Sequence, residues 1–398
     1  MAAPPTVNDV AVHHMAANRQ APVHASAPMR PAAVETSDRP FVLIWEVTQA
    51  CDLECKHCRA DATPDRDPAE LSTAEARQFL EDVREFGEDQ LLVLSGGDPL
   101  ARDDTIDLVE YGTDIGLQMT LTPSGTASLT PETVQALADA DLRRMAVSLD
   151  GPTPSTHDEF RQEPGSFEQT LRAARAAQAA GLPLQVNTTV CAETVEYLPA
   201  LRDVVATLDA VLWSVFFLVP VGRGTELDPI SPTHAERVME YLCEVAAEAD
   251  FGVKTTEAPH YRRVATQRDQ DATAGPAPDA IGRSAGINAG DGFAFVSHRG
   301  DLYPSGFLPM AVGNVREDHV VDLYRETDLF QSLRDPDALG GKCGACPYRG
   351  LCGGSRSRAY AYTGDPLAAD PLCAYVPPDY DGPVPGPAHQ PQRANSSE

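Results

Sequence analysis

Residues 51–58 read CDLECKHC, so three of the nine cysteines of this chain fall in one short stretch, at Cys51, Cys55 and Cys58. A structural zinc site takes four ligands, usually as two C-x2-C pairs. Here the spacing is C-x3-C-x2-C, and no fourth cysteine stands nearby. A 4Fe–4S cube has four iron corners and is normally held by four cysteines. Three thiolates therefore suit a cube with one iron left open to a substrate or cofactor.

A second set stands at Cys343, Cys346, Cys352 and Cys373, spaced C-x2-C-x5-C-x20-C. Four thiolates fully ligate one centre, and on spacing alone zinc and iron–sulfur are equally open. Disulfide frameworks belong to short domains with evenly spread cysteines, so tight clusters in 398 residues point to metal. Cys191 ends an apolar stretch and Cys243 lies in a helical pattern; both read as core thiols.

The elements that must position these residues alternate. Short apolar runs rich in Val, Leu, Thr and aromatics predict strands at 41–47, 91–95, 118–122, 145–149, 184–190 and 211–219. Helical patterns lie between them. One starts at Ser72, with Glu75 in capping-box spacing, and stops at Gly87; another runs from Ser166 to Gly181; a third starts at Ser231 with Pro232 at its first position. Six strand–helix units imply a parallel sheet, either an open partial barrel or a doubly wound sheet. Each strand runs into a polar or glycine-rich turn: the cysteines, SGGDP (95–99), TPSGT (122–126), SLDG (148–151), NTT (187–189) and PVGRG (220–224). In parallel α/β folds the carboxyl ends of the strands converge on one ligand site, so these six motifs are expected to share a cavity. Beyond a polar stretch at 266–290, residues 293–307 predict a β-hairpin turning at Arg299–Gly300, and 320–334 predict helix.

Composition limits the partners. With 59 acidic against 31 basic residues the net charge is −28, and only Lys56, Lys254 and Lys342 are lysines. Such acidity repels nucleic acid. It suits a cytoplasm of high salt, such as a haloarchaeal one, where self-repulsion is screened. No run of about 18 apolar residues predicts a membrane span.

On these motifs the chain resembles the radical S-adenosylmethionine enzymes, whose hallmark is C-x3-C-x2-C after the first strand. The resemblance implies an α/β fold: a partial (β/α)6 TIM-like barrel plus a small C-terminal iron–sulfur domain of SPASM/twitch type. It implies that Cys51, Cys55 and Cys58 hold a 4Fe–4S cluster whose open iron is chelated by S-adenosylmethionine. GGDP looks like the Gly-Gly-Glu-Pro motif that holds the methionine amino group; it comprises Gly96, Gly97, Asp98 and Pro99, and Asp98 keeps the carboxylate with a shorter reach. Ser148, Asp150 and Asn187 match segments that approach the ribose and the methionine carboxylate, Ser124 joins them from the third-strand turn, and His57 would pack against the adenine.

The stretch from Cys343 to Cys373 resembles the SPASM/twitch extension. Full SPASM domains carry seven cysteines, and Ser305 stands where a hairpin cysteine would be expected, so one auxiliary 4Fe–4S cluster is expected. The closest resemblance is to the haem-forming branch, through WEVTQACDLECKHCRA, PVGRG and CGGSRSRAYAYTGDPLAADPLC, with a departure at Ser355, where relatives often have Cys. The implied activity is reductive cleavage of S-adenosylmethionine to a 5′-deoxyadenosyl radical, used for porphyrin propionate decarboxylation. Arg59, Arg223, Arg356 and Arg358 are candidates to grip carboxylates. Peptide or small-molecule modification and a non-enzymatic iron–sulfur or zinc sensor remain alternatives. The expected electron donor is a reduced ferredoxin or flavodoxin-like protein in the cytoplasm. The expected organisation is a disordered tail (1–38), a core domain (39–260), a linker (261–290), an auxiliary-cluster domain (291–376) and a second tail (377–398).

Overall fold

Strand β1 (Val42–Thr48) opens a run of parallel strands, β2 (Leu91–Gly96), β3 (Gln118–Leu121), β4 (Arg144–Ser148), β5 (Leu184–Val190), β6 (Leu212–Phe217) and β7 (Gly252–Thr256). Helices α1 (Thr73–Arg84), α2 (Thr105–Asp114), α3 (Pro131–Asp139), α4 (Pro154–Arg161), α5 (Ser166–Ala180), α6 (Leu198–Thr207) and α7 (Pro232–Glu248) join them. The computed structural model describes residues 35–271 and 287–384. Each of β1 to β7 pairs with the next in chain order, in parallel.

Helix starts and stops follow the local chemistry. At α1, Ser72 Oγ accepts from Glu75 N (3.3 Å) while Glu75 Oε2 accepts from Ser72 N (2.8 Å), closing the capping box. Ala76, Phe79, Leu80 and Val83 recur at helical spacing and bury one face of α1. Side chains of the strands alternate. Leu43, Trp45, Leu94, Met119, Val147 and Trp213 pack fully buried against the helices. The residues between them face the concave side, which is where parallel strands would carry continuous apolar runs if both faces were filled.

After α8 (Tyr261–Asp271) the chain returns as β8 (Asn288–Ala289), β9 (Gly292–Val296), β10 (Asp301–Tyr303) and β11 (Gly313–Asn314). Strand β9 pairs in parallel with β1, and β10 and β11 continue antiparallel, so one sheet crosses the position 290. The hairpin turns where expected. Helices α9 (Val320–Glu326), α10 (Asp328–Arg334), α11 (Gly341–Gly344) and α12 (Arg356–Thr363) complete the chain. Strands β7 and β11 form the two edges, so the barrel stays open.

Three expectations are corrected. The parallel run has seven strands rather than six. Strand β7 escaped notice because GVKTT buries only Val253 and turns Lys254 and Thr256 to the concave side. The expected linker begins as α8 and its last residues already pair in β8; residues 272–286 lie outside the described residues. The first expected tail ends earlier, because Tyr324 Oη donates to Thr36 O (2.5 Å) and Arg325 Nε to Asp38 O (2.8 Å); residues 1–34 and 385–398 lie outside the described residues. No helix among the described residues is long and apolar enough to cross a membrane.

Candidate active site

The loop after β1 carries Cys51, Cys55 and Cys58, all free, with the first two buried. The three residues pack together with Leu53 and Ala62. Backbone N–H groups point at two of them, Leu53 N to Cys51 Sγ (3.4 Å) and Ala62 N to Cys58 Sγ (3.5 Å). Burial pushes the Cys51 thiol up to about 11. Burial thus favours the neutral thiol at Cys51 and Cys55 until a cationic centre draws them out as thiolates.

The glycine turn after β2 lies directly against this loop. Gly97 N donates to Thr48 O (2.9 Å) and Asp98 N to Ala50 O (2.6 Å). A Cβ on Gly97 would stand 2.3 Å from Ala50 O, so no side chain fits between turn and loop. Asp98 is buried, and its carboxylate accepts from Leu100 N (3.1 Å), Ser124 N (3.3 Å) and Thr126 Oγ1 (2.5 Å). Burial outweighs these donors and raises its pKa. This carboxylate fastens the second-strand turn to the third-strand turn. Ser124 Oγ completes the link by donating to Gly97 O. Pro99 opens a short 3-10 turn behind it.

Strands β4 and β5 supply the facing wall. Ser148 stands in register with Asn187, and Asn187 Oδ1 accepts from Gln185 Nε2 (2.7 Å). Asp150 is fully buried and accepts from Thr189 N (2.7 Å) and, at 3.5 Å, from Arg161. Burial alone would raise the Asp150 pKa, but the charges of His57 and Arg161 reverse this and hold it down. His57 stacks on Phe160 with ring centroids 4.9 Å apart, and its Nε2 lies 4.0 Å from Asp150. One face of the ring expected to meet an adenine is therefore spent on a phenylalanine.

Arg161 is the residue that sequence reasoning missed. It is buried at the end of α4, donates to Ser124 O (3.2 Å), and lies within electrostatic reach of all three thiols. The available signal was an arginine closing the helix that follows the SLDG turn.

The four candidate carboxylate grips are corrected. Arg223 donates to Cys55 O (3.0 Å) and Ala62 O (3.1 Å), and its N–H to Cys58 O (3.0 Å). Arg59 pairs with Glu46 and lies over Phe295 (4.5 Å). Arg356 holds Pro366 O (2.9 Å) and Ala368 O (2.8 Å), and Arg358 pairs with buried Asp370 (3.1 Å). These guanidinium groups are spent on the protein itself, Arg223 and Arg356 on backbone carbonyls and Arg59 and Arg358 on buried carboxylates.

The second cysteine set lines one cavity of about 20 Å³ together with Arg263, Lys342 and Tyr375. Four thiols lining one cavity can hold either a single zinc ion or an iron–sulfur core. Gly354 N points at Cys352 Sγ (3.4 Å) and Asp370 N at Cys343 Sγ (3.4 Å), the backbone donors that tune cluster sulfurs. Beside it, Glu257 adopts a left-handed conformation (φ 56°) and accepts from Ser305 (3.1 Å), Ser357 (2.9 Å) and Ser355. Ser305 and Ser355, the two positions at which the resemblance led us to expect cysteine, thus hold hydroxyls fixed on one carboxylate.

The first site fits an iron–sulfur cube with S-adenosylmethionine. Three free cysteines pack together, a glycine turn lies directly against their loop, and two buried polar atoms, His57 Nδ1 and Arg161 Nε, have no hydrogen-bond partner. The comparisons agree. Residues 45–205 match the model of the radical SAM superfamily. An AdoMet-dependent heme synthase of Methanosarcina barkeri is 41% identical over 86% of this chain and 99% of its own length. A second protein of that name, from Oleidesulfovibrio alaskensis, is 36% identical over 92% of this chain and 95% of its own. Among solved structures, Streptococcus suis SuiB bound to S-adenosylmethionine shares the fold, with a TM-score of 0.66 at 18% identity over 85% of this chain and 78% of that one. With relatives this similar along nearly the whole described length, the chain belongs to the radical SAM superfamily, in the branch of the AdoMet-dependent haem synthases.

Proposed function

We propose that this enzyme converts propionate side chains of an iron porphyrin to vinyl groups. The observation that carries the reading is the three-thiol site against the Gly96–Gly97 turn, in a chain 41% identical to a haem synthase. When bound, the first cluster and S-adenosylmethionine supply a 5′-deoxyadenosyl radical that takes a hydrogen atom, and one auxiliary cluster at Cys343, Cys346, Cys352 and Cys373 supplies a one-electron acceptor. For each propionate, one hydrogen atom, one electron and CO2 leave, and the two remaining carbons become vinyl.

The residues of the chain do the rest. Gly97 and Asp98 keep the second-strand turn on the cysteine loop, Ser148 and Asn187 face it from β4 and β5, and Arg161 balances the carboxylate of Asp150 beside the thiols. The polar motifs on the strand ends thereby form the cofactor site, while Arg223 fixes its backbone.

The test is anaerobic reconstitution with iron, sulfide and a reductant, followed by incubation with S-adenosylmethionine and iron-coproporphyrin III. The expected result is 5′-deoxyadenosine and CO2 in step with a shift of the porphyrin spectrum to that of haem. Formation of 5′-deoxyadenosine with no change in the porphyrin would overturn the substrate and favour a peptide or another small molecule.

A further inference from the structure

The concave side of the barrel mixes apolar and polar residues, and two of its cations are not neutralised. On that face Gln118, Arg144, Gln185, Phe216, Lys254 and Thr256 all retain accessible surface. Their neighbours on the same strands, Met119, Met145, Val186, Trp213 and Val253, retain almost none. Lys254 keeps accessible surface on the concave side, although burial lowers its pKa.

Arg144 opens β4 and Lys254 sits in the middle of β7, where it pairs in register with Ser214. The charge of Arg144 reaches Lys254 across the concave side of the sheet. Among the described residues neither side chain makes an ion pair or hydrogen bond, although those of Arg59, Arg161, Arg223, Arg263, Arg356 and Arg358 all do. The one carboxylate on the same face of β1, Glu46, is already held by Arg59 and His298. An enclosed cation without a partner costs stability. A third cation, Arg262 of α8, reaches Leu351 O (3.4 Å) beside Cys352 and lies within electrostatic range of Lys254. Arg262 thereby connects this group of cations to the backbone beside the second cysteine set.

We infer that Arg144 and Lys254 are a carboxylate-binding pair that seats a polycarboxylate tetrapyrrole in the barrel by side arms that do not react. This rests on the function proposed above and adds the residues that choose the substrate class. It also accounts for an acidic chain of net charge −28 taking an anionic substrate. The outer charges are screened by salt, and the enclosed pair is not.

The experiment uses the reconstituted full chain and zinc-coproporphyrin III, with four carboxylates, as a fluorescent probe. Its tetramethyl ester is the uncharged control. Arg144→Gln and Lys254→Met are each expected to weaken binding of the acid about tenfold or more. Arg144→Lys is expected to restore part of that loss, and the ester is expected to bind weakly to all. Iron content and melting temperature verify that each variant is folded and loaded. Unchanged affinity in both variants, or an ester that binds as well as the acid, would overturn the pair and leave the proposed reaction standing. Failure of the loaded wild type to bind the acid would overturn both the reaction and the pair.

Discussion

The two cysteine sites are built in opposite ways. The first takes its thiols from eight consecutive residues, 51–58, and borrows its surroundings from the ends of β2, β4 and β6. The second takes four thiols from a segment of 31 residues and needs a buried frame, Asp370 with Arg358 and Glu257 with three serines, to bring them together. Arg358 also donates to Phe217 O, Leu218 O and Glu257 O, so that frame is bolted to the end of β6 and the turn after β7. The difference teaches that a site made by local spacing tolerates a generic neighbourhood, whereas a dispersed one is only as firm as its buried polar contacts.

The sharpest way to break the comparison is Cys55→Ser. Formation of 5′-deoxyadenosine should vanish, and iron should fall from about eight to about four per chain, as measured after anaerobic reconstitution. Loss of all iron would show that the sites are interdependent. Arg358→Met attacks the other side. It leaves Asp370 buried and unpaired and should cost about 3–5 kcal/mol in urea denaturation, with iron lost from the second set first. Gly97→Ala puts a methyl group 2.3 Å from Ala50 O. The resulting overpacking should cost about 1–3 kcal/mol and weaken S-adenosylmethionine binding in equilibrium dialysis, with the second site unaffected.

Smaller effects refine the picture. Burial first, then the charges of Arg144 on β4 and Arg262 on α8, hold the Lys254 pKa down at about 8. A base whose folded pKa lies below its ordinary value gives stability that rises with pH, here between about 8 and 10.5. Binding of a carboxylate has the opposite sign. It is strongest with Lys254 charged, below pH 8, and weakens above it; Lys254→Met should remove that inflection from a titration with zinc-coproporphyrin. At the low end, Arg202→Ala removes an exposed pair with Glu248 (3.4 Å) and should shift stability by no more than about 0.5 kcal/mol.

Much of this was legible in the residues. The six strands fell within a residue or two of the observed bounds, because their apolar runs are short and their helices capped. The first site was legible because its ligands are neighbours in sequence and its other motifs end successive strands. Strand β7 was not, because it carries lumen-facing Lys254 and Thr256 instead of an apolar run. The roles of Arg59, Arg223, Arg356 and Arg358 were not legible either. An arginine bound to a backbone carbonyl looks in sequence like one waiting for a substrate. Arg144 and Lys254, which do wait, gave no local sign of it, since their isolation is a property of the folded barrel.

The clasp formed by Gly222 and Arg223 has one more consequence. Gly222, at φ 53°, lies so close to Cys58 O that a Cβ would stand 2.4 Å away, and Arg223 ties the carbonyls of Cys55, Cys58 and Ala62. The backbone of the loop is thus held by the protein's own contacts. Metal loading should resemble filling a socket rather than folding a chain: circular dichroism would barely move on reconstitution, and assembly would be limited by delivery of iron and sulfide.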